Sequence, residues 1–260
     1  MKRLLTIAIA TLLLTGCSQT PDQEKQSLYE KGLAYVTETK LAEADAAFGE
    51  MTALDSSDVR ALYGRALVFE NRLMYFDALN VFLMARDFDT TFMPARIGAW
   101  RAYSQLGYPL EAAGIARAYR RQVPDDWQGA RMLAISQIDL GKYKEAGRTL
   151  ATVNAPDAKA EAILDLVRAR ALLLDGERDS AQTVFADAIG SAATDSDLLH
   201  EAADYLEAAG LIDSAMALSR QATGLSNADF ASTRRHFHRL LRHNYFFESR
   251  SLFTGLKEKG

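Results

Sequence analysis

From residue 25 onward apolar side chains recur at helical spacing, and no stretch keeps the strict alternation of a strand for long. Ala and Leu dominate over Val and Ile, and none of the five prolines interrupts a long apolar-periodic stretch. Between the periodic blocks stand short polar tetrapeptides: DSSD at 55, VPDD at 123, NAPD at 154 and TDSD at 194. These supply turn formers and Asp or Ser side chains able to cap a following helix. The pattern predicts an all-helical chain built of hairpins.

The blocks repeat. Segments begin near Lys25, Val59, Met93, Trp127, Ala162, Ser196 and Phe230, at spacings of 34 residues with a single 35. One column holds Ala44, Ala78, Ala112, Ala146, Ala181, Ala215 and Ser249. Four residues later come Phe48, Phe82, Ala116, Leu150, Phe185, Ser219 and Phe253. Five residues before the small column stand Thr39, Leu73, Gly107, Gly141, Gly176, Gly210 and Asn244. Small residues such as Gly32 and Ala44 allow two antiparallel helices to approach, and Phe48 fills the space that remains. The third segment has Trp100 at the site where five of the segments have Gly or Ala, with Ala116 opposite, an exchange that conserves volume. The seventh has Phe237 at that site, as befits an atypical terminal unit.

A 34-residue period with Gly32, Tyr35, Ala44 and Phe48 in YEKGLAYVTETKLAEADAAFGEMTALDSSD, and the Gly-x-Tyr-x-x-Ala turn at 141–146, resembles the tetratricopeptide repeat. The resemblance implies an all-α, right-handed superhelical solenoid of about seven helix-turn-helix units over 25–260. Each unit has flanks that it cannot bury alone, so stability is a sum over stacked neighbours.

The N-terminus reads differently. Met1-Lys2-Arg3 precedes an apolar run from Leu4 to Leu14, too short for a ~20-residue membrane span and suited to an export signal. Leu14-Thr15-Gly16-Cys17 resembles the bacterial lipobox, which implies cleavage after Gly16 and acylation of Cys17, the only cysteine. The alternative is an ordinary signal peptide with a cysteine beside its cut. Residues 1–16 are thus expected to be the signal, and 17–24 the lipidated cysteine and a polar tether. Ser18, by the sorting rule that the resemblance brings, points to the outer membrane.

Composition, 48% hydrophobic and 25% charged, is that of a folded soluble chain. Without Lys2 and Arg3 it has 28 basic against 34 acidic residues, a net −6, which gives no footing for nucleic acid. The charge is uneven. Residues 230–260 carry a net +5, so residues 17–229 carry −11. Arg234, Arg235, Arg239 and Arg242 are therefore expected to form a basic C-terminal cap, with Phe237, Leu240 and Leu241 packed inward.

No nucleophile elbow, zinc-binding HExxH, phosphate loop or dinucleotide fingerprint occurs, so no catalytic residue, cofactor or metal site is expected. His236 and His238 point to different sides of a helix and make no metal pair. By the family's register, Tyr63, Glu70, Arg101, Gln105, Arg131 and Arg170 face the concave groove. Three arginines in successive units would grip carboxylates of an extended or helical acidic segment. The resemblance implies a membrane-anchored, non-enzymatic scaffold for envelope proteins; the alternative is an envelope enzyme or a receptor for cell-wall fragments.

Overall fold

The computed structural model describes residues 20–190, 194–225 and 230–258. The export signal, Cys17 and its first neighbours lie outside those residues. The described chain forms fourteen helices in seven hairpins and contains no strand. The pairs are α1 (Pro21–Thr37) with α2 (Leu41–Leu54), α3 (Val59–Asn71) with α4 (Tyr75–Phe88), and α5 (Met93–Gln105) with α6 (Pro109–Gln122). Then come α7 (Trp127–Asp139) with α8 (Tyr143–Leu150), and α9 (Ala158–Leu174) with α10 (Arg178–Ile189). The last are α11 (Ser196–Ala208) with α12 (Ile212–Thr223), and α13 (Phe230–Arg242) with α14 (Phe246–Glu258).

Five first helices start at the residue that the period predicts. The other two, α1 and α9, start a turn early, and their caps explain it. Thr20 and Gln23 form a reciprocal capping box ahead of Pro21, so the expected tether loses residues 21–24 to helix. Asp157 accepts the Ala160 amide at 2.8 Å and opens α9. Asp58, Asp126 and Asp195 cap α3, α7 and α11 in the same way.

The turn column has one physical meaning. All seven residues, Thr39 to Asn244, have positive φ, between 59° and 95°. Each sits just past a first helix, and the amide after it donates back across a full turn, as Lys142 N–H does to Gln137 O at 2.8 Å. This is the left-handed helix ending in which glycine is favoured, and four of the seven are Gly.

The small column is fully buried, and so are Phe48 and Phe82 four residues on. Phe48 is gripped from both sides. A Cβ added at Gly32 would lie 2.5 Å from its ring, and one at Gly64 in the next repeat 2.3 Å. Phe82 meets Gly98 in the same way at 2.4 Å. In the third repeat the volumes are exchanged as expected. Trp100 packs with Ala112, Ala116 and Met132, and its indole N–H donates to Ser136 Oγ at 3.0 Å. Phe237 stacks on Phe253 in the seventh, with centroids 5.8 Å apart. Each helix packs on the next in the chain, and α13 also reaches α3, five repeats back.

Candidate functional site

By the repeat register the first helices line the inner face, and their side chains form two groups of ion pairs. On α3 and α5, Arg101 donates Nε–H and Nη2–H to the two oxygens of Glu70 at 2.8 and 2.7 Å. Arg234 of α13 adds its Nη2 at 3.4 Å from Glu70 Oε1. Glu70 is 1% exposed; burial pushes its carboxyl up, but the two guanidinium charges outweigh burial and hold it below the usual range. Tyr63 is half-buried, 5.8 Å from the Phe82 ring and edge-on to Phe92 at 5.6 Å. Gln105, a turn beyond Arg101, is exposed.

Arg131 on α7 donates to Glu201 on α11, passing the intervening α9, so the concave channel is narrow. Arg170 on α9 lies between Asp139 at 3.9 Å and Asp204 at 3.8 Å. Burial raises the Asp139 carboxyl, and the nearby Arg170 charge does not fully offset it. The structure thus brings Glu70 and Arg101 together, and sets Arg131 and Arg170 against the acidic row of α11. Tyr63 adds a side-chain hydrogen bond to Arg101, and Gln105 stays exposed beside the pairs.

Glu201, Asp204 and Glu207 lie along one side of α11, and the arginines of α13 meet them. Arg235 contacts Glu201 at 3.3 Å and Asp204 at 3.0 Å. Arg239 donates Nε–H to Glu207 at 3.0 Å and its Nη2 to Asp204; Arg242 also reaches Glu207. Burial works against the Asp204 charge, yet Arg235, Arg239 and Arg170 hold its carboxyl well below the ordinary range. The expectation of a displayed basic cap is therefore corrected. Arg234 and Arg239 are buried, Arg235 is largely covered, and only Arg242 is well exposed. The acid row one repeat earlier draws the charge inward. Leu240 is buried as expected, but Leu241 is exposed.

Behind the ion pairs lies a polar plug that sequence reasoning missed. Ser219 occupies the aromatic column of the sixth repeat and is fully buried. His236 Nδ1 stands 3.0 Å from Ser219 Oγ, and Arg239 Nη1 donates to the same hydroxyl. His200 Nε2 bonds Ser232 Oγ at 2.7 Å, and Ser196 bonds that hydroxyl at 2.9 Å. Burial and the Arg235 and Arg239 charges push His200 down to about 2; burial, Arg239 and Arg220 push His236 down to about 4. The one available signal was serine in a column that holds phenylalanine in four repeats. Among the described residues no three His, Cys, Asp or Glu side chains gather as metal ligands, and no helix is long and apolar enough to cross a membrane.

The sequence matches no family model and no curated protein. Solved structures do resemble it. A tetratricopeptide repeat protein from Parabacteroides merdae ATCC 43184 aligns over 92% of this chain and 94% of its own, with 17% identity and a TM-score of 0.58. PilW, a widely conserved type IV pilus biogenesis factor, aligns over 77% of this chain and 92% of its own, with 16% identity and a TM-score of 0.58. MamA from Desulfovibrio magneticus RS-1 aligns over 64% and 93%, with 14% identity and a TM-score of 0.54. At such identities the likeness is one of fold, and it agrees with the seven hairpins, the left-handed turns and the buried small column: the chain has the fold of a tetratricopeptide-repeat-like solenoid.

Proposed function

We propose that the chain is a non-enzymatic scaffold, held at the bacterial cell envelope by a lipid on Cys17, that docks an acidic segment of a partner protein in its concave channel. One observation carries the docking. Arg131 Nε and Arg170 Nε are buried without a hydrogen-bond partner among the described residues, and Arg170 Nη2 has only the Asp139 carboxylate at 3.9 Å, beyond hydrogen-bond reach. Buried guanidinium N–H groups are costly to leave unpaired, and a carboxylate is the acceptor that their planar fork fits best. The fold supports the reading, since solenoids work through extended concave surfaces and PilW shares this architecture.

The anchor is supported by the lipobox-like Leu14-Thr15-Gly16-Cys17 behind an apolar run. Thr20 already caps α1, so only Ser18 and Gln19, at most ~11 Å of chain, separate it from Cys17. A diacylated cysteine carries two acyl chains, enough for stable attachment. The N-terminal end of α1 then lies at the membrane, and partners meet the scaffold there.

Two measurements test this. Cys17→Ala is expected to accumulate as unprocessed or displaced protein; normal processing with unchanged fractionation refutes the anchor. A photo-crosslinking residue at Gln105, exposed at the groove end of α5, is expected to capture an acidic partner, whereas one at Arg117 on the outer α6 captures none. Equal capture from both positions places the docking surface elsewhere.

A further inference from the structure

In a solenoid each repeat ordinarily touches only its neighbours. Helix α13 departs from this, because besides packing on the sixth repeat it returns to the second. Arg234 Nη2 lies 3.4 Å from Glu70 Oε1 on α3. One turn further on, His238 Nε2 and the Tyr75 hydroxyl at the start of α4 are hydrogen-bonded, with ring centroids 5.1 Å apart. We propose that the seventh repeat is an autoinhibitory latch: α13 closes the concave channel by docking on the second repeat through Arg234–Glu70 and His238–Tyr75, and a partner enters when it swings away.

The latch rests on the reading of the channel as the docking surface. Glu70, on the groove face by register, is already covered by Arg101 and Arg234. A segment laid along the inner faces of α3 and α5 therefore requires α13 to move.

The materials of the joint suit movement. Phe237 and Leu240 of α13 are buried, Phe237 against Phe253 of α14 within the same repeat. The seventh repeat meets the sixth through Arg235, Arg239 and Arg242 on the α11 carboxylates and through the Ser219–His236 plug. Charged groups regain hydration when such a joint parts, whereas a joint of buried phenylalanine exposes oil to water. The closing contact is also the easiest to release. When Arg234 leaves, Glu70 keeps both hydrogen bonds from Arg101, so the carboxylate at the closing contact is not stranded.

Acidity biases the latch in one direction. His238 meets the Tyr75 hydroxyl of α4, which itself lies in the field of Glu70 of α3 and of Arg234, and it feels the Arg234 and Arg242 charges on its own helix. No carboxylate contacts it. Burial and the Arg234 and Arg242 charges push the imidazole down to about 4 when closed. Freed into water it returns to ~6.5. A histidine depressed in the closed state favours closure above pH 6.5 and loses that advantage as pH falls from 6.5 toward 4. Between pH 7.5 and pH 5, His238 alone raises the opening constant about 30-fold.

The test is a distance measurement on the full chain without any partner. Spin labels are placed at Asn80→Cys on α4 and Arg250→Cys on α14, both exposed, in a chain whose Cys17 is replaced by Ser. One narrow distance is expected at pH 7.5. Arg234→Gln with Tyr75→Phe, and separately pH 5 on the otherwise unaltered labelled chain, should add a longer population at unchanged helicity. His238→Gln should weaken the response to pH, and His236→Gln with it should remove the remainder. A distribution unmoved by both the double substitution and acid overturns the latch. So does a longer distance that appears only with loss of helicity, because the repeat is then unfolding and not swinging. If the double variant unfolds, the acid series and Tyr75→Phe alone decide by the same criteria. Since no partner is present, an immovable seventh repeat refutes the latch and leaves crosslinking at Gln105 to decide the docking surface.

Discussion

At the junction of the first and second repeats, the Phe48 ring lies against Gly32 and Gly64 with no polar atom between them. At the junction of the sixth and seventh, the same column holds Ser219, and His236 and Arg239 fill the space around it. Both junctions are buried and both are well bonded, but by opposite means. The first gains from removing apolar surface from water, a non-directional effect that tolerates no gap. The second depends on every donor meeting an acceptor, so it is specific and sensitive to the loss of any one member. One repeat geometry accepts either material, because backbone turns and the small column set the helix spacing independently of what fills it.

The comparison is broken most severely by Phe48→Ala. It leaves a ring-sized void between two glycine-faced helices and is expected to cost about 3–5 kcal/mol, read as a large fall in the denaturant midpoint for the N-terminal repeats. Asp204→Asn tests the other junction. It removes the carboxylate shared by Arg170, Arg235 and Arg239 and should cost about 3 kcal/mol. Hydrogen exchange should place that loss in α11 and α13, with α1 to α4 keeping their protection; uniform loss along the chain would show the two junctions to be one cooperative unit. The smallest effect concerns the turns. Thr39 holds a φ of 59°, where a β-branched residue is strained and glycine is not. Thr39→Gly should stabilise by about 0.5–1 kcal/mol, and unchanged melting would mean that the turn relaxes at no cost.

Much of this was legible in the sequence because it repeats. The Thr39-to-Asn244 column marks seven turns, and two members that are neither Gly nor Asn, Thr39 and Leu73, take the same left-handed backbone as the four glycines. Position in the period outweighed residue preference. The exchange of Trp100 for Ala116 was readable for the same reason, since both sit at known register. The ionic network was not. Arg131 meets Glu201 seventy residues away and Arg234 meets Glu70 farther still, at separations fixed by how the superhelix winds. The part of it between neighbours did leave a trace: Glu201, Asp204 and Glu207 recur one period later as Arg235, His238 and Leu241, with Arg239 and Arg242 beside them. The uneven charge is legible as a total, but total charge does not say which way side chains point.

The return of α13 to α3 also bears on how such a chain can change length. An open stack gains or loses a unit freely, because the repeats flanking the change simply meet each other. Here Arg234 finds Glu70, and His238 finds Tyr75, only because the winding between the second and seventh repeats brings them level. One unit more or fewer between them would carry α13 past that place or leave it short. The contact therefore works as a gauge of repeat number, and duplication or deletion inside the array, ordinarily the easy route by which solenoids diverge, is closed to this one without loss of its seam.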